Sequence, residues 1–184
     1  LCASQQSLRS EELHTEADEF SVNSPMNVGL MAGQWCPHGV DPDGPGDQRP
    51  EEAGSVIFDT NILKESLDIL GAPVVLLDVS SDKPVAMIAI CLSEVLPDGG
   101  VTRVSYGLLN LTHRNSSENP EFLQPGETYS IKVQLNEAGH SFGVGNRIRI
   151  AISSIYWPIA WPSPERATLT ISKSNNKIIL PTRP

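Results

Sequence analysis

An antiparallel β-sandwich of the jelly-roll kind is the fold this sequence predicts, and three observations predict it. Eight segments read as strands from alternating or continuously apolar patterns. Nearly every link between them carries Pro/Gly turn chemistry, and no long helical pattern interrupts the series. Strands that switch between two layers produce a jelly roll, with an up-and-down barrel as the other all-β solution. The chain has 184 residues, 39% of them hydrophobic, enough for one domain with a real core.

In chain order, residues 1–19 are polar and acidic, with a short helical turn expected near residues 10–13. Residues 1–26 are read as a linker or the tail of a preceding domain plus a lead-in strand, and residues 27–184 as the sandwich. The stretch DPDGPGDQR at 41–49 is a Pro/Gly loop. Strands are expected at 55–59, 74–80, 85–96, 101–112, 129–135, 147–155, 167–172 and 177–180. In the third of these, Ile88, Ile90 and Leu92 alternate with Ala89, Cys91 and Ser93, so both faces are fairly apolar and Cys91 is expected to be buried. Pro97-Asp98-Gly99-Gly100 closes a hairpin, and Pro125-Gly126 fits a type II turn ahead of the fifth strand. In that strand Tyr129, Ile131, Val133 and Leu135 alternate with Ser130, Lys132 and Gln134. Gly145-Asn146 then turns the chain into Ile148, Ile150 and Ile152.

Charge and cysteine content narrow the function. The net charge of −9 belongs to the front: residues 1–60 carry Arg9 and Arg49 against eleven Asp and Glu, while residues 61–184 carry eleven of each sign. No basic cluster with interleaved aromatics supports nucleic-acid binding, and nothing supports a membrane role. Leu1 in place of methionine, without a basic-then-apolar leader, is read as a processed chain or a piece of a longer polypeptide, with the piece as the expectation. Cys2, Cys36 and Cys91 are odd in number and lack metal spacing, which points to free thiols, through either a reducing compartment or simple burial, and a cytoplasmic setting is the expectation. Asn110 and Asn115 head formal glycosylation triplets that matter only in a eukaryotic secretory pathway.

Four motifs could carry chemistry. GHSFG at 139–143 matches the G-x-S-x-G frame of a serine nucleophile, which needs a strand before the serine and a helix after it. Here a strand follows, so the motif is expected to be a loop with Phe142 tucked beneath it, and neither Ser141 nor His140 is expected to be catalytic. His38 in WCPHG sits beside Cys36 with too few partners for a metal or a thiol dyad. Asp41, Asp43 and Asp47 could hold a hard cation, but Pro42 and Pro45 and the missing distal glutamate fit the calcium pattern poorly. Solvated loop charges, with no metal and no cofactor, are the expectation. The fourth motif, SIYWPIAWPSPE at 154–165, concentrates Tyr156, Trp157 and Trp161 among three prolines. Those aromatics could form a sugar platform, an interface with another domain, or a cap on the sandwich.

Taken together, GDQR at 46–49, SVIFDT, LDILGAPVVLLDVSSDKPVA, LPDGG, YGLLNLTHR, LQPGETYSIKVQL, the F-x-x-G-N-R-I-R-I run and YWPIAWPSPE resemble, over residues 27–172, the C-terminal domain of the X-Pro dipeptidyl peptidase and cocaine esterase type hydrolases, the CocE/NonD family. The resemblance implies a jelly roll related to galactose-binding domains, following an α/β-hydrolase domain that holds the catalytic Ser, Asp and His. It therefore implies a non-catalytic, structural role for this bacterial-type chain, packed on that domain and inactive alone, with some self-association when isolated. Relatives carry an acidic pair after the proline of SSDKP where this chain has Val85-Ala86, which removes any interdomain polar contact those acids make. The alternative is a carbohydrate-binding module using Trp157 and Trp161.

Overall fold

The computed structural model describes residues 2–4, 7–9, 19–36, 38–39, 43–172 and 176–183. Its elements are β1 (Cys2–Ser4), β2 (Ser7–Arg9), β3 (Glu19–Val22), α1 (Arg49–Glu52), β4 (Val56–Thr60), β5 (Leu67–Gly71), β6 (Val74–Ser81), β7 (Met87–Val95), β8 (Val101–Asn110), a 3-10 turn (Leu111–His113), β9 (Tyr129–Gln134), β10 (Ala138–Phe142), β11 (Arg147–Ser153), β12 (Leu169–Ser172) and β13 (Lys177–Ile179). The expected helical turn at residues 10–13 lies outside the described residues.

Two antiparallel layers form the sandwich. One runs β4-β11-β7-β8, and the other runs β3-β12-β6-β9, with β13 beside β12 on the same edge of β6. The backbone of β1 and β2 links β13 to β4, the β2-β4 pair being parallel. Alternation decides which side chains meet between the layers. Phe58, Ile88, Ile90, Leu92, Ile148, Ile150 and Ile152 from the first layer pack against Val75, Leu77, Val79, Ile131, Val133, Leu169 and Ile171 from the second. Full burial of each such side chain contributes about 1.5–3 kcal/mol, so this seam dominates the stability.

The turns follow their residues. Leu96 donates to the Gly100 carbonyl at 2.8 Å to close the β7-β8 hairpin, and Gly126 sits at φ +84°, where a type II turn needs it. The strands fall within a residue or two of their expected bounds, and two are cut short for a visible reason. β7 starts at Met87 because the Ala86 and Pro84 carbonyls accept from Leu111 and Leu123, tying down the loop after β8. β8 stops at Asn110 because that side chain accepts from the Thr112 amide at 3.1 Å and caps the 3-10 turn.

GHSFG is not a loop. Its first four residues, 139–142, lie in β10, which pairs with β5 in a separate two-stranded sheet, Ser141 opposite Asp68, and Gly143 follows the strand. Only Phe142 of the five is large and apolar, so the alternation is too faint to read. Its full burial provides the anchor.

Candidate functional site

The outer face of β7 is also covered, and that second layer builds the aromatic end of the molecule. Met87, Ala89 and Cys91 point away from the main core and pack against Val28, Ala32 and Tyr156. Residues 25–36 and 43–54 are held there by polar staples. Gln48 Nε2 donates to the carbonyls of Met31 at 2.8 Å and Gly46 at 2.7 Å, and the buried Glu51 carboxylate accepts from the Met31 amide. Burial pushes the Glu51 carboxyl above its ordinary value, with the Met31 and Gly29 amides pulling the other way.

Tyr156 belongs to this interior and not to a displayed platform. Its ring is 1% exposed, lies 5.5 Å from the Tyr106 ring, and its hydroxyl accepts from Arg103 Nη1 at 2.7 Å. Burial raises the phenol well above its usual range, and burial likewise pushes the Cys91 thiol up to about 11. The chain then leaves the core. Trp157 donates its amide to the Val28 carbonyl at 3.0 Å, and Ala160 donates to the Tyr156 carbonyl at 2.8 Å. Gly29, at φ +110°, permits the approach, since a Cβ there would lie 2.3 Å from the Trp157 carbonyl oxygen.

The loop so held presents one tryptophan to solvent. Trp161 is 81% exposed, whereas Trp157 is half-buried; their rings meet edge to face at 5.1 Å and 76°. Sugar platforms need flat, accessible ring faces, and this pair offers one. Met26 and Leu30, on the segment that carries Gly29, are exposed as well. Neither stood out in the sequence, because an isolated apolar residue in a Pro-containing loop reads as surface or core alike.

The catalytic look-alikes separate. On β10, His140 and Ser141 point to opposite faces, as successive strand residues must. His140 turns inward: its Nε2 lies 2.9 Å from Glu94 Oε2, and its ring meets Phe142 at 4.7 Å. Glu94 Oε1 also accepts from the Gly143 amide and from Asn146 Nδ2, both at 2.7 Å. Burial alone would raise this carboxyl, but donation from Asn146, Gly143 and His140 outweighs it and holds the group below its usual range. The Glu94–His140 pair therefore locks the turn between β10 and β11 and orients no nucleophile. Glu94 was missed, although its place after Ile88, Ile90 and Leu92 in the same inward register signals a buried, partnered acid.

The other candidates do not converge either. His38 and Cys36 are exposed. Asp43 is buried and accepts the His38 amide at 2.8 Å, whereas Asp47 pairs with Arg49 at 2.5 Å; Asp41 lies outside the described residues. Among the described residues no three His, Cys, Asp or Glu are placed to hold a metal. The strongest ion cluster joins Arg149 to Asp59 in a bidentate pair at 2.6–2.7 Å and to Glu52, fastening α1 to β4 and β11. No helix among the described residues is long and apolar enough to cross a bilayer.

Residues 3–182 match the family described as the X-Pro dipeptidyl-peptidase C-terminal non-catalytic domain. Cocaine esterase of Rhodococcus sp. (strain MB1 Bresler) is 26% identical over 144 residues, 77% of this chain and 25% of that protein. Among solved structures, an α-amino acid ester hydrolase superposes with a TM-score of 0.71 at 22% identity, over 91% of this chain and 32% of its own. An aminopeptidase from the marine sediment archaeon Thaumarchaeota archaeon gives 0.72 at 19%, over 94% and 34% respectively. A CocE/NonD family hydrolase from Staphylococcus aureus gives 0.72 at 13%, over 97% and 35%. The chain thus spans about a quarter to a third of the length of these relatives. The match along nearly the whole chain, carried by a two-layer sandwich, makes this chain a member of the X-Pro dipeptidyl-peptidase C-terminal non-catalytic domain family, the β-sandwich unit of CocE/NonD-type hydrolases.

Proposed function

We propose that the chain serves a serine hydrolase acting on ester or X-Pro amide bonds, and that it packs its Trp161 end against the α/β-hydrolase domain of the same polypeptide. One observation carries this: a loop stapled to the core through Val28, Gly29 and Tyr156 holds an 81% exposed tryptophan in place beside Met26 and Leu30. A large aromatic whose backbone is already fixed loses little entropy on docking, and apolar surface of this kind marks protein contacts. Residues 1–26 would lead from the hydrolase domain into the sandwich, which they join from β1 onward. The free thiols Cys36 and Cys91 suit a reducing, cytoplasmic setting. Isolated from its partner, the sandwich should self-associate weakly through the uncovered end.

Two measurements test this. The 184-residue chain is expected to hydrolyse neither p-nitrophenyl esters nor X-Pro anilides, and turnover that vanishes in Ser141→Ala would overturn that. Light scattering of Trp161→Ser is expected to show less self-association than the parent. A variant that folds normally and self-associates unchanged would remove Trp161 from the interface.

A further inference from the structure

Beside the Trp161 loop lies an open groove of about 270 Å³, with Pro25, Met26, Ile155, Pro162 and Ala167 among its lining residues and Glu165 and Arg166 at its rim. Its two walls, one from the end of the lead-in strand and one from the β11-β12 connection, are fixed to each other. Ser24 and Ser154 exchange reciprocal bonds, each amide donating to the other's hydroxyl, at 3.0 and 2.9 Å. Ser24 Oγ donates on to the Gly54 carbonyl at 2.7 Å, and Asn23 Nδ2 donates to Thr168 Oγ1 at 2.8 Å. The groove is therefore formed before anything enters it.

Its charge is as uneven as its shape. Arg166 is exposed, donates one bond to the Asn23 carbonyl at 3.2 Å and makes no ion pair among the described residues. The neighbouring acid is taken, since Glu165 pairs with Lys83 at 3.3 Å. In a chain of net charge −9, a preformed apolar groove with an unpaired guanidinium at its edge calls for an apolar side chain with a carboxylate next to it.

We infer that this groove is a second socket for the hydrolase domain, taking one apolar side chain over Met26 and Pro162 with an adjacent carboxylate bound to Arg166. The inference rests on the proposal that the Trp161 end faces that domain. The occupant follows from length: the relatives carry roughly two thirds to three quarters of their polypeptide outside the part this chain matches. The groove and Trp161 belong to one connection between β11 and β12, so a surface covering one reaches the other.

The test compares Arg166→Glu, Arg166→Lys, Ser163→Trp and Trp161→Ser by scanning calorimetry, in the whole polypeptide and in the 184-residue chain. Arg166→Glu and Ser163→Trp, the latter filling the groove from its wall, are expected to lower the melting temperature of the whole polypeptide by about 5 °C or more. They should move that of the 184-residue chain by less than about 2 °C, and Arg166→Lys should retain most of the wild-type value. If only Trp161→Ser destabilises the whole polypeptide, the socket is refuted while the aromatic interface stands. If Trp161→Ser is silent as well, both fall. Equal losses in the short chain would make the groove ordinary packing, and loss of self-association there without effect on the whole polypeptide would assign it to a second copy. Either result overturns the inference.

Discussion

Replacing Glu94 should expose how much of the fold hangs on one buried acid. Its side chain is 9% exposed and receives three hydrogen bonds, from His140, Gly143 and Asn146. Hydrogen bonds to a charged partner contribute about 1.5–3 kcal/mol each, and a buried donor left alone costs about 1–3 kcal/mol. In Glu94→Leu the Gly143 amide and the Asn146 amide group both lose their acceptor, while His140 reaches water at its exposed edge. About 4 kcal/mol is therefore at stake, which lowers Tm by roughly 8–16 °C for a domain of this size. Glu94→Gln keeps an acceptor for Gly143 and loses the charge, so its cost should be about 1–2 kcal/mol. The pH dependence has a definite sign. Because the folded state holds the carboxyl below its ordinary 4.5, its contribution is complete above that value and is lost as the pH falls through the folded pKa. Urea midpoints of wild type and Glu94→Gln should therefore converge between pH 5 and pH 3. A Glu94→Leu variant within about 2 °C of wild type, or a gap that widens in acid, would refute the account of this carboxylate.

Two further outcomes follow from the geometry. Iodoacetamide should alkylate Cys36 and spare Cys91 in the native chain, because the buried thiol is pushed up to about 11 and is covered by Tyr156; mass spectrometry showing equal labelling would contradict this. Gly29→Ala should cost at least about 3 kcal/mol, since it combines positive-φ strain with a collision against the Trp157 carbonyl, whereas Gly126→Ala, with nothing within 4 Å, should cost only the strain of about 1 kcal/mol. Equal denaturation midpoints for the two variants would mean that the 29–157 contact does not brace the loop.

The sandwich was legible because its strands alternate strongly. Ile148, Ile150 and Ile152, or Ile131 and Val133, can be placed on a face without knowing their partners. β7 was legible on both faces, since a strand with apolar residues on each side must be covered twice. The short strands β5 and β10 were not, because Ala138–Phe142 offers only Ala138 and Phe142 as apolar residues and the two strands owe their conformation to pairing with each other.

The aromatic end was legible only as a cluster. Sequence cannot tell a docked ring from a displayed one when three aromatics and three prolines share a loop. Tyr156 went inward because it follows Ile155 at the end of β11, over Cys91 and Val28, and Arg103 was there to satisfy its hydroxyl. Trp161 stayed out because the Ala160 bond to Tyr156 turns the chain away from the core. The Ser24–Ser154 pair that shapes the neighbouring groove joins residues 130 apart, and no local pattern foretells it.

Hydroxyl-radical footprinting of Trp161 tests the central claim most directly. In the 184-residue chain the 81% exposed indole should oxidise readily, and in the whole polypeptide it should be protected several-fold, while the exposed Phe122 provides an internal reference. Equal oxidation of Trp161 in both, with the reference unchanged, would contradict the claim that this end of the sandwich docks on the hydrolase domain.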